Sequence, residues 1–343
     1  MAPRFAFSPV DADPGRTLYV DGTEAGFRSL SHWPGNATPS ALKRDLSTGI
    51  ALAWAACSPA EREALTGPFE VVANNHYDTD GVLSVYGVLR PEEALEHEDL
   101  LLRAAATGDF ARWTGRDALA VELALMGLTT DSGAPLAHLS GASDRERHEA
   151  AYLWALDHMD EVLRAGEARE PPFAARLAVL EEQLRRVDAR DGVAVEELRA
   201  LDLAVVATTA PLSRLALVQA AGARSRVLLV HDGADGPRYR LVFRVESWFE
   251  LVTDVPPPRR PLEPAVEALD AAEQAARGAS AADDPAAPRW WSGALAQPVC
   301  QLGFGDRKAA GDGFSRDTDL SGDPPSRLGR AAVLEALEPV LAV

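Results

Sequence analysis

From Phe69 to Val85 the chain reads FEVVANNHYDTDGVLSV. An apolar run, Phe69 to Ala73, gives way to Asn74, Asn75, His76, Asp78, Asp80 and Gly81, and apolar residues then resume at once. That order predicts a buried strand, a polar loop and a helix from about Val82 to Leu89. Extended backbone through the loop sets His76, Asp78 and Asp80 on one face, with Tyr77 and Thr79 on the other. The alternative is a turn at Asp80-Gly81 in which Asp80 caps the helix and His76 packs beside it.

Upstream, Pro3, Pro9 and Pro14 interrupt any regular element. Thr17 to Val20 reads as a strand ending at Asp21-Gly22, with Phe27 to Leu30 pairing back on it as a hairpin. In the SHWPGN bend that follows, His32 and Trp33 read either as packed turn aromatics or as substrate contacts. Thr38 is placed to cap a helix with Pro39 at its first position, running to about Cys57. Leu100 to Ala106 reads as a second parallel strand that delivers Asp109 to the carboxyl edge of the sheet, where ligands gather. Alternatively Asp109 caps the helix expected from Phe110 to Met126.

Asp144 to Arg164 and Pro171 to Val187 show helical periodicity. Leu203 to Ala207, Leu212 to Ala221 and Val227 to Val230 predict a β-α-β unit. A hairpin follows through HDGADG into Tyr239 to Val245, which makes Asp232 and Asp235 turn residues. Pro256, Pro257, Pro258 and Pro261 predict a stiff connector before an Ala-rich helix to about Arg277. Gly278 to Pro288 reads as a mobile loop and Val299 to Phe304 as a strand. The glycine-rich stretch Gly303 to Gly322, with Arg307, Lys308, Arg316 and nearby Arg327, precedes a helix expected near Pro325. It reads as a phosphate-receiving loop or as plain flexible surface. Together these alternations predict an α/β protein: a parallel-sheet domain flanked by helices over 1–192, and a smaller mixed α/β domain over 193–343.

The 343 residues are 47% hydrophobic and 25% charged, as in an ordinary globular chain. A formal charge of −18, spread along the sequence, works against a long nucleic acid partner. A small phosphorylated substrate stays compatible, because divalent cations reverse the local field. Cys57 and Cys300 form no close-spaced motif, so neither a disulfide framework nor a cysteine zinc site is expected, and a reducing cytoplasm fits. No export signal and no membrane-length apolar window is evident, so no membrane partner is expected.

The run His76-Tyr77-Asp78-Thr79-Asp80-Gly81, followed by Val82, Leu83 and Ser84, resembles the first motif of the DHH phosphoesterase superfamily. The resemblance implies that His76, Asp78 and Asp80 sit at the end of a sheet strand and bind catalytic Mn²⁺ or Mg²⁺. Asp157-His158-Met159 resembles the Asp-His-His motif of the same superfamily, departing from it in its third residue and in its helical surroundings. Asp202 precedes a strand rather than following one and does not match the superfamily's fourth aspartate. The glycine-rich stretch lacks the histidine found in the superfamily's terminal loop. The expected metal ligands are His76, Asp78, Asp80, Asp109 and Asp157, with Asp80, Asp109 and His158 as catalytic groups. The expected activity is hydrolysis of a small phosphorylated or nucleotide substrate. The alternatives are a binding protein with a degenerate phosphoesterase-like domain, or a structural protein in which Asp78 and Asp80 are caps. SHWPGN taken with Asn74 to Gly81 also resembles an uncharacterised family of bacterial proteins, a resemblance that implies no activity.

Overall fold

The computed structural model describes residues 3–278, 287–298, 300–305 and 318–342. The chain forms two compact units, residues 1–179 with 249–255 and residues 180–248 with 256–343. Residues 306–317, and with them Arg307, Lys308 and Arg316 of the glycine-rich stretch, lie outside the described residues, as do 279–286 of the expected mobile loop.

The first unit is built on strands β1 (Arg4–Phe7), β2 (Thr17–Val20), β3 (Arg28–Leu30) and β4 (Val71–Asn74). They lie in the order β1-β4-β2-β3, and every pairing is parallel. Leu18, Val20, Leu30, Val72 and Ala73 are buried, as expected of a parallel sheet shielded on both faces. The helices are α1 (Ser47–Ala55), α2 (Pro59–Thr66), α3 (Thr79–Leu89), α4 (Pro91–Glu96), α5 (Glu98–Phe110), α6 (Arg116–Gly127), α7 (Asp144–Asp157) and α8 (Met159–Leu163). Helix α1 is buried on nearly every side, which its Ile-Ala-Leu-Ala-Trp-Ala sequence permits. It packs against α3 so closely that a Cβ at Gly87 would meet the Ala51 Cβ at 3.2 Å. Helix α9 (Ala174–Ala189) crosses from the first unit into the second.

Four expectations are corrected here. β2 and β3 run parallel rather than as a hairpin. The segment after Thr38 makes only a 3₁₀ turn, Ser40–Leu42, and α1 starts at Ser47. Leu100 to Ala106 is the middle of α5, not a strand: Leu101, Ala104 and Ala105 are buried at helical spacing, and alanine favours helix. Finally, the helix read over Asp144 to Arg164 breaks at His158, where α7 ends and α8 begins.

The second unit contains β5 (Val193–Leu198), β6 (Leu203–Thr208), α10 (Arg214–Ala221), β7 (Arg226–Gly233), β8 (Gly236–Phe243), α11 (Glu263–Arg277), β9 (Arg289–Ser292), β10 (Gln301–Gly305) and α12 (Arg330–Leu341). The strands form a six-stranded mixed sheet in the order β5-β6-β7-β8-β10-β9, in which only β6 and β7 are parallel. Leu269 of α11 and Val333, Leu337 and Leu341 of α12 pack with Leu203, Val205, Leu228 and Leu241 of the sheet. Leu217 and Ala216 of α10 pack with Val206, Val227 and Leu229 in a separate cluster. Gly303 is a strand residue rather than a phosphate loop: a Cβ there would meet Arg240 Nε at 2.7 Å and the Trp291 ring at 2.8 Å. The protein is therefore α/β, with a four-stranded parallel sheet and a six-stranded mixed sheet flanked by helices. Among the described residues no helix is long and apolar enough to cross a membrane.

Candidate metal centre

At the carboxyl edge of the parallel sheet, three strands end in polar residues. β2 runs into Asp21, β3 into Ser31 and His32, and β4 ends at Asn74 just before His76 and Asp78. Asn74 is fully buried and shapes the last of these turns: its Oδ1 accepts from the Asn75 N–H at 2.6 Å and the His76 N–H at 3.1 Å. Its Nδ2 donates to the Tyr152 hydroxyl at 2.8 Å. The backbone then turns into α3 with Asp78 as its cap, Oδ1 accepting from the Gly81 N–H at 2.8 Å.

The expected alternation along an extended loop therefore stops at Asp78, and Asp80 lies in the first turn of α3. Its buried carboxylate instead meets the start of α1: Ser47 N–H donates to Oδ2 and Thr48 N–H to Oδ1, both at 2.8 Å. Asp80 thus supplies from outside the N-terminal cap that Leu46 cannot give to α1.

Asp21 joins two groups of ligand atoms. Its Oδ2 lies 2.9 Å from His76 Nε2, which is itself 3.1 Å from Asp78 Oδ2. Its Oδ1 lies 3.6 Å from His32 Nε2, which also faces Asp80 Oδ2 at 3.7 Å and Asp109 Oδ2 at 3.3 Å. The trios Asp21–His32–Asp80 and Asp21–His76–Asp78 each place one donor atom per residue within 4.8 Å of the others. The inner trio is wholly buried, whereas His76 and Asp78 keep 22% and 35% of their side chains exposed.

Two buried atoms in the inner trio, Asp21 Oδ1 and His32 Nε2, make no hydrogen bond. The His32 Nδ1–H is committed to the Asp45 carbonyl at 2.6 Å, which in the neutral ring leaves a lone pair on Nε2 facing three carboxylates. An imidazole that donates from one nitrogen to a backbone carbonyl and offers the other is the usual arrangement of a metal-binding histidine. The ion-pair partners that Asp21, Asp78 and Asp80 find among the described residues are imidazoles. Carboxylate oxygens joined by imidazole nitrogen are a donor set that could hold a divalent cation.

The protonation behaviour reflects that crowding. Burial lowers the His32 value, but Asp109, Asp80 and Asp21 raise it to about 9. Burial and Asp21 push Asp80 up to about 7 against His32 and Thr48. Burial, then Asp78 and Asp80, hold Asp109 well above the carboxylate range. Burial also raises Asp21, yet His76 and His32 outweigh it and leave that carboxyl below its ordinary value. His76, despite burial, is raised well above its ordinary value by Asp78 and Asp21.

The structure thus brings together His76, Asp78, Asp80 and Asp109. Asp109 arrives from the last turn of α5 rather than from a strand end. Asp157 and His158 belong to neither trio. Asp157 is exposed at the end of α7, and His158 stacks on Trp154 at 4.3 Å with Nδ1 bonded to the Trp154 carbonyl. Asp21 and His32 take their place as potential ligands. A carboxylate directly after the apolar run Thr17 to Val20 is the sequence signal that points to Asp21.

Fold and site define a two-unit α/β protein whose parallel sheet carries a buried carboxylate–imidazole cluster at its carboxyl edge. The chain belongs to the family of unknown function DUF6687, whose model matches residues 3–310. No curated protein and no solved structure is significantly similar to it.

Proposed function

We propose that this cluster holds two divalent cations, Mn²⁺ or Mg²⁺, and that the protein hydrolyses a phosphoric ester of a small phosphorylated or nucleotide substrate. The observation that carries the reading is Asp21, a single buried carboxylate within reach of both trios. Asp21, His32 and Asp80, with Asp109 beside them, would hold one ion, and Asp21, His76 and Asp78 the other. Paired ions lower the pKa of water and neutralise charge on a phosphoryl group. The chain's own contribution is orientation: Ser47 and Thr48 hold Asp80, Asp45 holds His32, and Asn74 holds the His76 turn. The exposed edges of His76 and Asp78 leave one side open to substrate, and Trp33 stands over the His76 ring at 4.6 Å. A cytoplasmic location is part of the same proposal.

A second reading has its own support. Asp78 and Asp80 both accept backbone N–H groups as caps, which is how a purely structural cluster would use them. Those bonds leave further lone pairs on each carboxylate, and they do not serve Asp21 Oδ1 or His32 Nε2. Turnover of phosphodiester and phosphomonoester substrates with added Mn²⁺, lost in Asp78→Asn and Asp21→Asn, supports the hydrolase. Cation binding without turnover favours a binding protein, and absence of cation binding favours the structural cluster.

A further inference from the structure

Residues Phe249–Val255 belong to the first unit although their chain neighbours Trp248 and Pro256 belong to the second. This strap carries little core: Val252 and Val255 are 45% and 66% exposed. Its contacts gather instead around His32. The Phe249 ring stacks on the His32 imidazole with centroids 3.8 Å apart and planes 20° from parallel. The Glu250 N–H donates to the His32 carbonyl at 2.8 Å. The Glu250 carboxylate accepts from Gly35 N–H at 2.9 Å, from Asn36 Nδ2 at 2.8 Å and from Lys43 Nζ at 2.8 Å.

Asp45 completes the arrangement. Its carboxylate accepts from the N–H groups of Val252 at 2.6 Å and Thr253 at 3.0 Å and from the Thr253 hydroxyl, while its carbonyl accepts the His32 Nδ1–H. One residue therefore ties the strap to the imidazole, and Phe249 closes off the ring face.

We propose that the strap is a positioning element of the cation site, with Phe249 and Asp45 setting the orientation in which His32 offers Nε2. The proposal rests on the cation reading above, but its test does not depend on it alone. In cation-free protein, the Nδ1–H of His32 should give a resolved, slowly exchanging signal in ¹⁵N-edited NMR, assigned by its loss in His32→Gln. The signal should persist in Phe249→Tyr, which keeps the stacked ring, and be lost to exchange in Phe249→Ala and Asp45→Ala. In Mn²⁺ titrations followed by electron paramagnetic resonance, Phe249→Ala should weaken the ion held by His32 by about tenfold or more. The ion held by His76 and Asp78 should keep its affinity, and Phe249→Tyr should restore both. An unchanged Nδ1–H signal in Phe249→Ala would overturn the proposal. So would equal weakening of both ions together with a lower melting temperature, which marks a merely structural role. Wild-type protein that binds no Mn²⁺ would refute the cation reading, while the NMR comparison still decides the strap.

Discussion

Asp21→Asn separates a cation site from a structural cluster. Asn is the appropriate substitution because Asp21 has a φ of 63°, a left-handed conformation that Asn tolerates and most residues do not. In cation-free protein the change has two opposing effects. It removes the charge pairs with His76 at 2.9 Å and with His32 at 3.6 Å, and it relieves the repulsion that pushes Asp80 up. At a separation of about 4 Å and an effective dielectric of about 20, one such pair is worth about 4 kcal/mol. Two attractions lost against one repulsion relieved therefore leave the cation-free protein less stable, in keeping with an Asp21 carboxyl held below its ordinary value. The effect of cations is separate, because in the proposed site Asp21 would be the ligand common to both ions. Loss of a group that merely supports a ligand costs about 10–100-fold in affinity, so loss of the shared ligand itself should cost at least about 100-fold. That is about 2.7 kcal/mol of cation-linked stability. For a unit of this size, 1 kcal/mol moves the melting temperature by about 2–4 °C. The rise in melting temperature produced by Mn²⁺ should therefore shrink by about 5–11 °C in Asp21→Asn, read by calorimetry with and without the ion. An undiminished rise would refute Asp21 as a ligand.

Three further outcomes follow from the same geometry. The His32 value, raised from 6.5 to about 9, gives the cation-free protein stability that is complete below pH 6.5 and lost as pH rises through 9. This amounts to on the order of 3 kcal/mol. A cation must displace that proton, so Mn²⁺ affinity should rise over the interval in which apo stability falls; parallel trends in binding and melting titrations would contradict the assignment. Gly81→Ala places a Cβ 2.5 Å from the Tyr152 hydroxyl and 2.8 Å from Asn74 Nδ2. It should cost about 1–3 kcal/mol in chemical denaturation. Asp157→Asn and His158→Gln should leave cation affinity unchanged, since both residues stand outside the two trios; a loss in isothermal titration would restore the role expected from the sequence resemblance.

Legibility of the sequence varied with the range of the interactions involved. The apolar run before Asn74 and the Asp-x-Asp-Gly that follows mark β4 and the start of α3, because strand, cap and helix are local. The sequence points to Asp109 through a strand where the structure has α5: an alanine-rich segment carries both patterns, and only packing decides between them. Asp21 and His32 escaped as ligands because parallel pairing of β2 with β3 and β4 brings their ends together, and no single stretch records that pairing. Asp157-His158 stands out only by resemblance, and its helical setting places adjacent residues about 100° apart. The strap left no periodic signal at all, since its contacts are caps, one stacked ring and side-chain clasps on residues some 200 positions away.

Equilibrium binding of Mn²⁺ to the wild-type protein, followed by electron paramagnetic resonance, tests the central claim most directly. Two ions sharing Asp21 should fill with a stoichiometry of two per chain and show mutual magnetic coupling. A protein that leaves added Mn²⁺ free in solution, with its melting temperature unmoved, would contradict the account.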